Sequence, residues 1–165
     1  MKAIIPIPKD YRPDKRAAIA QDIIDYLIER TREGKGEGGK KFPGYSDSYK
    51  KSLDFSIAGK GSTVDLTLTG EMLDSLAILN EKSGELVIGY EKDDEVNGRA
   101  EGNILGSYGG DPNPKRARNF LALTDKEIRA ILARYPLDDK EERRAAVNDS
   151  IKAGELARSY LGYDD

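Results

Sequence analysis

The chain has 165 residues, 38% of them hydrophobic and 35% charged, with a net charge of -3 and neither cysteine nor histidine. Disulfide frameworks, thiolate metal sites and nucleophilic triads built on a histidine base are therefore excluded, which leaves carboxylate chemistry with a hard cation or a lysine nucleophile. The acidic balance argues against a dedicated duplex-DNA binder, the length suits one compact domain, and no apolar run approaches the ~18 residues of a membrane span.

Residues 1–12 read as an arm, because Pro6 and Pro8 remove amide donors. The short, proline-broken apolar start is not expected to serve as a signal peptide, so a cytosolic origin is the default. Pro13 suits the first turn of a helix predicted over 13–33. Its apolar stripe is Ile19, Ile23, Ile24, Leu27 and Ile28, with Asp14, Lys15, Arg16, Asp22, Glu29 and Arg30 expected to cover much of the other face. Gly34 stops it. Residues 34–41, with four glycines, read as a flexible polar loop. A phosphate-binding reading fails there, since no Ser or Thr follows the Gly-Lys pairs and no strand precedes them.

Phe42-Pro43-Gly44-Tyr45 marks a turn, and Ser46 can cap a short helix through Lys51. The bland reading has Phe42 and Tyr45 pinning this loop to the core; the sharper one makes them a docking surface. Alternation of Val64, Leu66 and Leu68 with Thr63, Asp65 and Thr67 predicts a half-buried strand over 62–68. Thr69 is expected to cap a helix over 70–76. Residues 77–81 and 85–91 read as strands around a turn at Lys82-Ser83-Gly84, with Leu86, Ile88 and Tyr90 on one face of the second.

Val96, Ala100 and Ile104 space a helix over 93–105, although Gly98 and Gly102 oppose it. Residues 106–114 form a Gly/Pro loop. The run Phe120-Leu121-Ala122-Leu123 predicts a strand over 117–123. Thr124-Asp125-Lys126-Glu127 is a capping box for a helix to Tyr135, which Pro136 stops. A last helix is predicted over 138–161. Val147 and Ile151 share a face, yet its apolar surface is too sparse for the helix to gain much from packing on its own domain. The resulting fold class is α+β: a small antiparallel or mixed sheet packed by the N-terminal amphipathic helix and a later helix. Residues 1–136 would form a single domain with an N-terminal arm, and 137–165 a C-terminal helical extension. The expected core comprises Ile19, Ile23, Leu27, Leu66, Leu68, Ile88, Phe120, Leu121 and Leu123.

Asp65, Glu71 and Asp74 could converge on a cation, which keeps a divalent-cation-dependent nucleic-acid-processing enzyme as the alternative function. Each also has an ordinary place on a solvent face or helix end. The run Lys115-Arg116-Ala117-Arg118 could touch phosphates, but carries no interleaved aromatics, and a charged strand edge is the favoured account of it. Nine tyrosines without a tryptophan hint at interfaces. A small partner-binding regulator is a third reading.

Three segments in order carry a resemblance: Phe42-Pro43-Gly44-Tyr45 running to Tyr49-Lys50, Asp65 to Leu76 with its Leu68-Thr69-Gly70, and Pro114 to Thr124 ahead of a helix. Together, over roughly residues 13–135, the chain resembles the virion morphogenesis (tail completion) family of tailed phages. Ala122 stands where that family usually has glycine, Glu101-Gly102-Asn103 stand where it often has a histidine, and the chain after Pro136 has no counterpart. The resemblance implies a non-enzymatic α+β subunit without cofactor or metal, assembled in the host cytoplasm into the virion. It would pack into a homo-oligomeric ring at the neck or head-proximal tail end, as a tail-completion or tail-terminator protein. Its partners would be neck, connector or tail-tube proteins, with non-specific proximity to DNA in the channel. On this reading Phe42, Tyr45, Arg116 and Arg118 are the candidate interface residues.

Overall fold

The computed structural model describes residues 1–66, 70–91, 94–108 and 110–161, and leaves the side chains of 94, 145 and 153–161 undescribed. It is an α+β fold in which a three-stranded antiparallel sheet is covered by helices. Strand β1 (Lys2–Pro6) lies on one edge, β2 (Ala77–Lys82) on the other and β3 (Glu85–Gly89) between them. The arm expected at 1–12 is thus in part a strand, with Ile4 opposite Val87 and Ile5 opposite Leu86. Pro6 is tolerated because it closes the strand on a sheet edge, where its missing N–H breaks no central ladder. Ile7 and Tyr11 then enter the core, and the Tyr11 hydroxyl donates to the Tyr135 carbonyl at 2.8 Å. β2 and β3 join at Ser83-Gly84, and a bulge falls between Ile78 and Asn80.

Helix α1 (Pro13–Arg32) starts on Pro13 as predicted and lays Ile19, Ala20, Ile23, Ile24 and Leu27 against the sheet. Leu86 and Ile88 meet it from β3. Of the expected core, Ile19, Ile23, Leu27, Ile88 and Phe120 are fully buried and Leu121 nearly so. Leu66 and Leu123 pack half-buried against it, and Leu68 lies outside the described residues.

Two charged residues expected on the solvent face of α1 instead fasten other helices to it. Helix α6 (Asp125–Leu132) opens with the Thr124–Glu127 capping box, and Arg30, 4% exposed, reaches Glu127 at 2.8 Å. The same guanidinium donates to the carbonyls of Phe120 and Ala122. Helix α7 (Asp139–Leu161) opens with a second reciprocal cap: Asp138 accepts from the Glu141 amide, and Glu141 accepts from the Asp138 amide. The fully buried Glu141 carboxylate pairs with Lys15 and accepts from the Arg12 amide. One cap glutamate is therefore tied to each end of α1. Burial works to raise both carboxyls. The bonds from Thr124, Tyr26 and Arg30 at Glu127, and from Lys15, Asp138 and Arg12 at Glu141, overcome it and hold both at about 2.

The strand expected over 117–123 does not form: the segment has no ladder pairing and bends at Leu121. Its carbonyls at 120 and 122 are taken by Arg30, so a side chain supplies the donors that a neighbouring strand would. The strand expected over 62–68 does not form across 62–66 either, since Leu66 turns into the left-handed region at φ 53°. Residues 67 and 68, and the cap expected at Thr69, lie outside the described residues. Helix α4 (Glu71–Asp74) follows Gly70, and helix α5 (Asp94–Leu105) covers most of the predicted 93–105. The glycine-rich segment after α1 closes as a turn, with a 3₁₀ piece at Glu37–Gly39 and a bridge from Lys35 to Lys41. Beyond its first turns α7 presents Val147 and Ile151 to solvent. Among the described residues no helix is long and apolar enough to cross a membrane.

Candidate functional site

Ser46 caps helix α2 (Asp47–Lys50) by accepting from the Tyr49 amide, as its type and position predict. Ser52 does the same for a further helix, α3 (Leu53–Ile57), which the sequence pattern did not suggest. The two short helices bring three rings together. Tyr45, Tyr49 and Phe55 have centroids 5.2–5.5 Å apart in tilted and edge-to-face contacts. Burial, reinforced by the Asp65 charge, pushes the Tyr45 hydroxyl up to about 12, so it stays protonated and donates to Asp65 at 3.3 Å.

A second wall comes from α5. Val96 and Ala100 are buried in the core, whereas Gly98 and Gly102 line a cavity. The third wall is the connection after α5. Gly106 has φ 66°, and a β-carbon there would lie 2.4 Å from the Asn113 carbonyl oxygen, so only glycine fits. The chain then passes Tyr108, at φ 42°, and returns to Arg118.

Arg118 joins the three walls. It is 7% exposed and donates to the carbonyls of Pro43 at 3.3 Å and Gly44 at 3.2 Å, to Asn103 Oδ1 at 3.4 Å and to the Tyr108 hydroxyl. Its guanidinium carbon sits 5.5 Å from the Tyr45 ring centre and 5.6 Å from that of Tyr108. The cleft between the three walls, open to solvent on one side, measures about 960 Å³. Its lining includes Tyr45, Tyr49 and Tyr108, the cations Lys60, Arg99, Arg116 and Arg118, and one carboxylate, Glu95. Leu66 and Tyr108, the two non-glycine residues with left-handed backbone among those described, both belong to it. Such outliers persist only where surrounding structure enforces them, and they cluster at functional sites.

Of the candidate interface residues, Tyr45, Arg116 and Arg118 come together here. Arg118 does not project toward a neighbour: its donors are used inside the fold, because a buried guanidinium must meet acceptors. Arg116 is exposed at the rim. Phe42 turns inward, packing half-buried on the core and against Gly36, so it pins its loop rather than presenting a surface. Tyr49, Lys60, Asn103 and Tyr108 were not singled out from the sequence.

The three carboxylates considered for a cation go to separate cations. Asp65 pairs with Lys60 at 2.5 Å, Glu71 with Arg99 at 2.8 Å and Asp74 with Arg32 at 3.1 Å. Among the described residues no group of three acids is placed to hold a metal ion. No family model, no curated protein and no solved structure matches the chain.

Proposed function

We propose that this chain is a structural virion protein of a tailed phage. It would be a ring-forming neck or tail-completion subunit at the head–tail junction, with no catalytic role. The observation that carries the reading is the meeting of three segments around one cavity. The segments that resemble the tail-completion family are separated in sequence, yet each contributes lining: Tyr45 and Tyr49 from the first, Leu66, Gly70 and Met72 from the second, Arg116 and Arg118 from the third. Beside the core residues they supply, such as Leu73 and Phe120, the segments whose shared pattern suggests a family thus also meet at one cavity.

Apolar surface left in water supports the same reading. Leu53 and Ile57, one turn apart on α3, are 72% and 74% exposed, and Val147 and Ile151 repeat that spacing on α7 at 57% and 53%. Side-by-side packing in a ring would cover such pairs. The ring's partners would be connector or tail-tube proteins above and below it. Light scattering across a concentration series, with and without purified heads or tails, tests the proposal. Higher oligomers or binding to those particles are expected; a strict monomer that binds neither would refute it.

A further inference from the structure

We infer that the tyrosine–arginine cavity receives an acidic segment from a second copy of this chain; this rests on the assembly reading above and specifies how neighbours engage. Of the four cations lining the cavity, Lys60 pairs with Asp65 and Arg99 with Glu71 and Glu95, which leaves Arg116 and Arg118 without a carboxylate among the described residues in a chain whose net charge is -3, so the acidic excess lies on the rest of the chain. Another copy therefore offers the complementary charge at high local abundance. Arg116 is exposed and makes no ion pair among the described residues. Arg118 is met only by carbonyls, an amide oxygen, a hydroxyl and two ring faces, so its positive charge is held without a carboxylate.

The rest of the lining has the chemistry of protein recognition. Tyrosines give rigid contact area, while several glycines give room. Gly98 is especially telling. A β-carbon there would have nothing within 4 Å, and its backbone is helical with no need of glycine. A residue that weakens its helix without any internal steric reason keeps space open for an occupant. The volume, about 960 Å³, accommodates several side chains rather than a single ion. Nucleic acid fits less well, because Tyr45, Tyr49 and Phe55 already pack on one another at 5.2–5.5 Å and leave no gap between them for a base.

The test compares the full chain with Arg116→Glu, which reverses an exposed rim charge, and Gly98→Trp, which fills open space. Sedimentation velocity should show both variants dissociated at a concentration where the unmodified protein is assembled, with at least about tenfold more protein needed to restore assembly. Neither variant should melt below the parent by circular dichroism, and if Gly98→Trp misfolds, Arg116→Glu decides alone. Because the chain has no cysteine, Gly98→Cys carrying a benzophenone label reports the occupant, and its photo-crosslinks should map to an acidic segment of another copy. Normal assembly of both variants, or crosslinks confined to basic or purely apolar segments, would overturn the inference and leave the assembly reading standing. Absence of assembly by the unmodified chain alone and with purified heads or tails removes both. Binding of a fluorescent single-stranded oligonucleotide that Arg116→Glu abolishes, with assembly untouched, would make nucleic acid the occupant and refute the proposal.

Discussion

Replacing Arg30 with methionine keeps an unbranched stem but removes the guanidinium and its charge from the junction of α1, α6 and the segment at 119–124. Three acceptors lose a donor: Glu127 at 2.8 Å, the Phe120 carbonyl at 2.8 Å and the Ala122 carbonyl at 2.9 Å. Breaking a buried ion pair from one side costs about 3–5 kcal/mol, because the remaining charge stays desolvated. Glu127 keeps bonds from the Thr124 amide and hydroxyl and from the Tyr26 hydroxyl. Those place the expected loss at the low end, about 3 kcal/mol. For a chain of 165 residues this lowers the melting temperature by about 6–12 °C. Urea and thermal unfolding followed by far-ultraviolet circular dichroism measure it. The double variant Arg30→Met with Glu127→Gln should lose at least about 1 kcal/mol less than the sum of the single losses, since neither charge is then stranded. A single-variant loss under about 1 kcal/mol, or strict additivity, would refute the reasoning that this pair ties α6 to α1.

Phe120 is fully buried, so Phe120→Ala should cost about 3–5 kcal/mol in the same unfolding assay. Acid should destabilise the fold through Glu127 and Glu141. Both folded-state values, about 2, lie below the ordinary 4.5. Their contribution is therefore complete at neutral pH and declines as pH falls from about 5 toward 2; Glu127→Gln should flatten that decline in a melting series across the range. Gly98→Ala, in a helix with open space around it, should raise stability by about 0.5–1 kcal/mol by helix propensity alone.

The elements whose hydrogen bonds are local could be read in the sequence. Period-3.6 apolar spacing gave α1, alternation and a glycine turn gave β2 and β3, and Thr124 with Glu127 gave the start of α6. The pair Asp138 and Glu141 carries the same cap spacing, a signal the helix predicted over 138–161 did not use, and nothing in that spacing points to its tie with Lys15. What escaped depends on partners distant in the chain. β1 needs β3, more than eighty residues away by its register of Lys2 with Gly89. The run at 120–123 has the apolar character of a strand, yet its donors come from Arg30. Alternation at 62–68 could not reveal the left-handed turn at Leu66. At the cavity, Tyr45 and Arg116 were visible as aromatic and basic residues in loops. Tyr49 joins them through the turn of α2, and Asn103 and Tyr108 only when α5 and its following connection fold back. The signal that was available is the Gly98–Gly102 spacing, which marks a smooth helix face opposite Val96 and Ala100.

Negative-stain electron microscopy of the unmodified protein, alone at high concentration and mixed with purified heads or tails, tests the central claim most directly. The account predicts ring-shaped particles with rotational symmetry, or a new ring of density at the head–tail junction. Monomeric particles throughout, with heads and tails unchanged, would contradict it.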